Sequence, residues 1–142
     1  MANNGGKGRK LANMGVAPKP PLYSPPTVPP ADEVDYAMDL DGENKLYVRL
    51  RTYRGRIVDF AIMQRTLLYE RWEEIARIDC CGGTIHRHLF SRDGEILLDH
   101  DLIRDIPHGE GSWAVVDDGY LPALDELQER WESNLRRWRD GR

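Results

Sequence analysis

The chain has 142 residues, a formal net charge of -4 and 31% charged side chains. That length suits one domain around a single modest core, and the mild acidity excludes the uniformly basic footprint of a dedicated nucleic-acid binder. The two cysteines, Cys80 and Cys81, are adjacent and have no third partner, which excludes a structural disulfide within the monomer. No apolar run approaches the roughly 20 residues that span a bilayer, and the N-terminus has Gly, Lys and Pro where a secretory signal needs apolar residues. A cytoplasmic protein without a membrane partner is the expectation.

Met1 to about Pro30 holds Gly5-Gly6, Pro20-Pro21, Pro25-Pro26 and Pro29-Pro30 with few apolar side chains. Such composition cannot offset its ordering entropy by burial, so it reads as a disordered tail. The block Asp32, Glu33, Asp35, Asp39, Asp41 and Glu43 lacks any basic residue and reads as the acidic end of that tail, which then spans residues 1–44. Opposite charge suggests that the block shields Arg49 and Arg51.

A single domain is expected over residues 45–142. Leu46, Val48 and Leu50 alternate with Tyr47, Arg49 and Arg51, the period of a half-buried strand. Tyr53-Arg54-Gly55-Arg56 is a tight turn, after which Val58, Phe60 and Ile62 resume the alternation with Gln64 and Thr66 on the same face. A turn at Tyr69-Glu70-Arg71 leads to a third strand over Trp72 to Asp79, and the glycines after Cys80-Cys81 reverse the chain into a fourth over Thr84 to Phe90. Ile96-Leu97-Leu98 is a short fifth strand or an irregular segment. Tyr120, Leu124, Leu127, Trp131, Leu135 and Trp138 recur at helical spacing, with an N-cap at Asp117 or Asp118 and Pro122 in the first turn. The fold class is therefore α+β: a small antiparallel sheet of four to five strands covered by one long C-terminal helix. Trp131 and Trp138 are core or homodimer contacts.

The chemistry concentrates in Arg77 to His88. Residues two apart on a strand share a face, so His86 and His88 stand side by side, and a tight turn brings Asp79, with Arg77, to the same volume. Three readings are open. Two neutral imidazoles and a carboxylate bind a divalent metal and leave positions for water. Alternatively, the two histidines act as general base and acid on a phosphodiester while Arg77 or Arg87 stabilises charge, with no cofactor. In the third reading Asp79 caps the turn and accepts from His86, and His88 packs with its nitrogens satisfied. Cys80-Cys81 lack the spacer that zinc ligands need, and His100 and His108 stand isolated in expected loops. Arg49, Arg51, Arg54, Arg56 and Arg65, with Tyr47 and Tyr53, read either as a phosphate- and base-binding face or as a solvated hairpin surface.

Arg77-Ile78-Asp79, a turn containing Gly82-Gly83, and His86-Arg87-His88, behind two alternating strands and a third led by Trp72, resemble the TumE-type toxins of bacterial toxin–antitoxin pairs and related domains of bacteria and phages. The resemblance covers about Lys45 to Phe90 and, more loosely, the C-terminal helix; Ile78 stands where an aromatic is usual, and the Cys80-Cys81 pair is foreign to the turn. It implies a compact sheet with a helix and a toxin-like, ribonuclease-like role directed at RNA, with an antitoxin as partner. His86 and His88 would be acid and base, Asp79 would orient one of them, and Arg77 or Arg87 would contact phosphate. The rival expectation is a non-catalytic protein-binding or assembly module of bacterial or phage origin.

Overall fold

A computed structural model describes residues 22–109 and 111–142 of the chain. Among the described residues six strands, β1 (Asp32–Asp39), β2 (Asn44–Tyr53), β3 (Arg56–Leu68), β4 (Arg71–Asp79), β5 (Thr84–Phe90) and β6 (Ile96–Asp105), are followed by one long helix, α1 (Ser112–Asp140). The strands form one antiparallel meander in sequence order, so the architecture is α+β with two more strands at the sheet margins than the minimum expected. Among the described residues no helix is long and apolar enough to cross a membrane.

Local sequence sets the hairpins. Arg54 and Gly55 adopt φ of 52° and 76°, the mirror-image turn that matches strand twist, and Tyr53 pairs with Arg56 across it. From there the alternation predicted for β2 and β3 holds: Leu46, Val48, Val58, Phe60, Ile62, Gln64 and Thr66 are all buried. Ala76 and Ile78 of β4 and Ile85 and Leu89 of β5 complete this inner face, against Val116, Tyr120, Leu124, Leu127 and Trp138 of α1. Each fully buried aliphatic or aromatic side chain contributes roughly 1.5–3 kcal/mol. The buried Gln64 ties the layers: its Nε2 donates to the Trp131 carbonyl at 2.9 Å, and its Oε1 accepts from Asn134 Nδ2 at 3.2 Å.

Three expectations need correction. The acidic block is not the end of a tail but strand β1, whose Glu33, Asp35 and Asp39 face Arg51, Arg49 and Lys45 across the ladder. Opposite charges placed cross-strand stabilise the pairing, and of the expected shield only the Arg51 part forms, with Glu33 at 3.5 Å, while Arg49 stays exposed. Nor does order begin at Lys45: Tyr23 is buried, with its hydroxyl donating to the Val58 carbonyl at 2.7 Å, and Ala31 is buried as well. Residues 1–21, the rest of the expected tail, lie outside the described residues. Finally, α1 starts at Ser112, and Pro122 lies in its interior at an exposed position. Asp117 is not a cap; its Oδ1 accepts the Ile57 amide of β3 at 2.9 Å, next to the register irregularity between β2 and β3.

Candidate functional site

The helix covers one face of the sheet, and the polar cluster lies on the other. Cross-strand partners share a face, and the pairings Arg49 with Ala61, Ala61 with Asp79, and Asp79 with His86 run across four strands. A neighbouring row joins Tyr47, Met63, Arg77 and His88. Asp79, His86, His88 and Arg77 thus meet on the helix-free face, as the period-two argument predicts. Arg87 does not join them. It points to the helix side, where Nε and Nη2 donate to the two Glu126 carboxylate oxygens at 2.6 and 2.8 Å and Nη1 pairs with Asp101.

Within the cluster, Asp79 Oδ1 accepts the Cys81 amide at 3.1 Å and lies 2.9 Å from His86 Nε2, while Asp79 Oδ2 is 4.0 Å from His88 Nε2. Arg77 holds Glu74 at 2.9 Å and its Nη1 is 3.8 Å from Asp79 Oδ2, so it guards the rim. His86 is only 1% exposed, and burial drives its pKa below the ordinary 6.5, aided by the nearby His88 and His100 and opposed by Asp79. It is a neutral imidazole at neutral pH.

His100, expected in a loop, is the residue that the sequence reading missed. It belongs to β6, and its ring centroid lies 4.5 Å from that of His86 and 4.8 Å from that of His88. Arg87 pairs with Asp101 and Leu89 with Leu98, so Asp99 and His100 together oppose the single residue His88. That is a β-bulge, and bulges re-aim side chains; His100 takes φ of 51° there. Asp99 Oδ1 contacts both His88 Nδ1, at 3.0 Å, and His100 Nδ1, at 2.9 Å. The three imidazoles each offer a ring nitrogen within 4.8 Å of the others, the one such set of three or more metal-ligating residue types among the described residues.

A cleft of about 430 Å³ opens beside Asp79, lined by Arg49, Asp59, Met63 and Arg77, with Tyr23 to Pro25 as one wall. Burial raises the pKa of Asp59 there, against the pull of Arg51 and Arg49. Buried Cys80, whose thiol pKa is raised strongly by desolvation, is inert as a nucleophile. A larger cavity of about 640 Å³ lies at the start of α1 between Leu22, Arg56, His108 and Trp113, and no member of the histidine cluster lines it.

The expected basic and aromatic face divides. Arg65 sits 4.6 Å over the Tyr47 ring, Lys45 sits 5.0 Å over Trp72, and Tyr47 and Trp72 meet edge to face at 6.2 Å, on the same side as the histidines. Arg49 is exposed on that side, whereas Arg51 is turned to Glu33 at 3.5 Å. Tyr53 packs instead on Trp113 at 5.3 Å, Arg54 lies 5.2 Å over Tyr53, and Arg56 lines the larger cavity.

Fold and site together define a small α+β domain with a histidine–aspartate centre on the open face of an antiparallel meander. Residues 31–142 match the family described as Domain of unknown function (DUF7718), and the chain belongs to that family. No curated protein and no solved structure matches it.

Proposed function

We propose that the open face of the sheet binds single-stranded RNA and that the histidine–aspartate centre acts on its phosphodiester backbone, the activity of a toxin-like ribonuclease. One observation carries this reading: Lys45, Tyr47, Arg49, Arg65, Trp72 and Arg77 share their face of the sheet with Asp79, His86 and His88. Cationic heads beside aromatic rings are the platform on which single strands stack and neutralise their phosphates. Arg77 is the phosphate contact next to the centre, and Arg87, held by Glu126 and Asp101, has no part in it.

The test is anisotropy of a labelled single-stranded RNA across a salt series, with cleavage followed on the same strand. Arg49→Ala and Arg65→Ala should each weaken binding and lower the salt slope by about one. His88→Ala should leave binding intact and abolish cleavage. In cells, induced wild type should arrest growth and His88→Ala should not, at equal soluble protein. Absence of RNA binding at low salt sinks the proposal. A second reading, the non-catalytic module that meets a protein partner, has one observation behind it: the edge strand β6 leaves Ile96, Leu102 and Ile103 exposed. It predicts that histidine substitutions lower the melting temperature and that RNA is ignored.

A further inference from the structure

We propose that the open face carries a mononuclear site for a divalent cation of the zinc class, with His86, His88 and His100 as nitrogen donors and Asp79 as the oxygen donor. The inference goes beyond the RNA reading, because its donors and their supports are the same whatever the substrate.

The arrangement of the outer nitrogens is the first argument. His86 Nδ1 contacts Thr84 Oγ1 at 2.9 Å, and the Nδ1 atoms of His88 and His100 share Asp99 Oδ1. All three Nδ1 atoms are engaged, which leaves the second nitrogen of each ring as the donor, and the Nε2 atoms of His86 and His88 lie 2.9 and 4.0 Å from the Asp79 carboxylate. Metal-ligating histidines are held in this way, one ring nitrogen on a carboxylate or other polar group and the second on the ion. One carboxylate fixing two rings is more than a surface ion pair between them requires.

The second argument is an unpartnered atom. His86 is 1% exposed, and its buried Nε2 makes no hydrogen bond, although Asp79 Oδ1 lies only 2.9 Å away in a direction unsuited to one. A buried imidazole nitrogen left in that state has lost its hydration without gaining a partner, which destabilises the fold. A cation seated between Nε2 and the carboxylate satisfies both groups at once.

The backbone supplies the third argument. Without the two-residue bulge opposite His88, His100 would continue the alternation of an edge strand; with it, and at positive φ, the ring stacks on His86. Local strain of this kind persists where a site needs it. A tetrahedral ion at 2.0–2.1 Å from each donor sets the donors about 3.4 Å apart. Donor nitrogens now within 4.8 Å close to that distance by rotation of His100, whose side chain is 63% exposed. Three imidazoles and one carboxylate select a borderline transition ion, because magnesium and calcium demand shells of oxygen.

The experiment uses the full chain without a histidine tag, stripped with chelator and titrated with Co2+ and then Zn2+. One Co2+ per chain should bind with the visible absorption of a four-coordinate ion, Zn2+ should displace it, and Zn2+ should raise the melting temperature until chelator is added. His100→Asn is the deciding variant, since asparagine tolerates the positive φ and the side chain is exposed. It should retain the fold and lose more than about 100-fold in affinity, and Asp99→Asn should lose about 10–100-fold. His108→Asn should bind as wild type does. Failure to saturate at one ion per chain, unchanged affinity in His100→Asn, or weakened binding in His108→Asn would each overturn the site. None of these readouts contains RNA, so the failure of one proposal is distinguishable from the failure of the other.

Discussion

His86 shows how much one side chain can set. Packed against His88 and His100 and buried on the sheet, its imidazole resists protonation, and its pKa falls below 6.5 despite Asp79 beside it. The unfolded chain therefore binds a proton near its ordinary pKa that the folded chain refuses, so stability is full above about pH 6.5 and declines as pH falls below it. In metal-free protein the urea midpoint should drop between about pH 7.5 and about pH 5.5, above the range in which ordinary carboxylates titrate. His86→Gln should flatten that dependence, and a midpoint equal at both values in wild type would refute it. Arg87 makes the opposite point. The period-two rule that pairs His86 with His88 sends the residue between them to the other face, so the sequence already argued against Arg87 as a phosphate contact. Arg87→Ala should cost about 1 kcal/mol, from the loss of its two-pronged pairing with Glu126, and leave RNA affinity unchanged. Asp79, His86 and His88 were legible because strand alternation and a glycine turn suffice to join them. His100 was not, because a bulge obeys no periodicity.

At the scale of elements, the strands were readable wherever one face is apolar, as in β2 and β3. β1 was not: all but one of its eight residues are exposed, and acidic composition imitates a solvated tail. Its pairing is decided by cross-strand partners Arg51, Arg49 and Lys45, which no local window contains. The helix start was missed for a related reason. Pro122 and Asp117 look like a first turn and its cap, yet packing of Val116 and Tyr120 on the sheet extends the helix past them toward Ser112, and tertiary contacts override local signals of this size. Where the two layers meet, Gln64 is the polar exception in an apolar face. Gln64→Ala removes two hydrogen bonds, strands the Asn134 amide and opens a cavity, so it should cost about 2–4 kcal/mol in urea unfolding. Gln64→Glu should cost at least as much, because a carboxylate cannot donate to the Trp131 carbonyl. A loss under about 0.5 kcal/mol in Gln64→Ala would show that the link carries no stability.

The whole molecule divides its two faces between two tasks: α1 completes the core on one, and the other is left to cations, rings and the histidine–aspartate centre. The division depends on a segment that the sequence assigns to a tail. Tyr23 is buried, its hydroxyl pKa is pushed up to about 12 by desolvation, and its backbone neighbourhood forms a wall of the cleft beside Asp79. Ala31 is buried at the entry to β1, and Tyr36 of β1 meets Tyr120 of the helix through their hydroxyls. A chain lacking residues 1–43 thus loses the burial of Tyr23, worth roughly 1.5–3 kcal/mol, its bond to Val58, worth about 1 kcal/mol, and a whole edge strand. It also bares β2, an edge with Leu46 and Val48 on one side, to strand pairing between molecules. Removal of residues 1–43 should therefore lower stability by at least about 3 kcal/mol and promote association, read by thermal unfolding and by sedimentation. Full stability in the shortened chain would mean that the domain begins where alternation begins, at Lys45, and that β1 is an attachment to the fold and not a part of it.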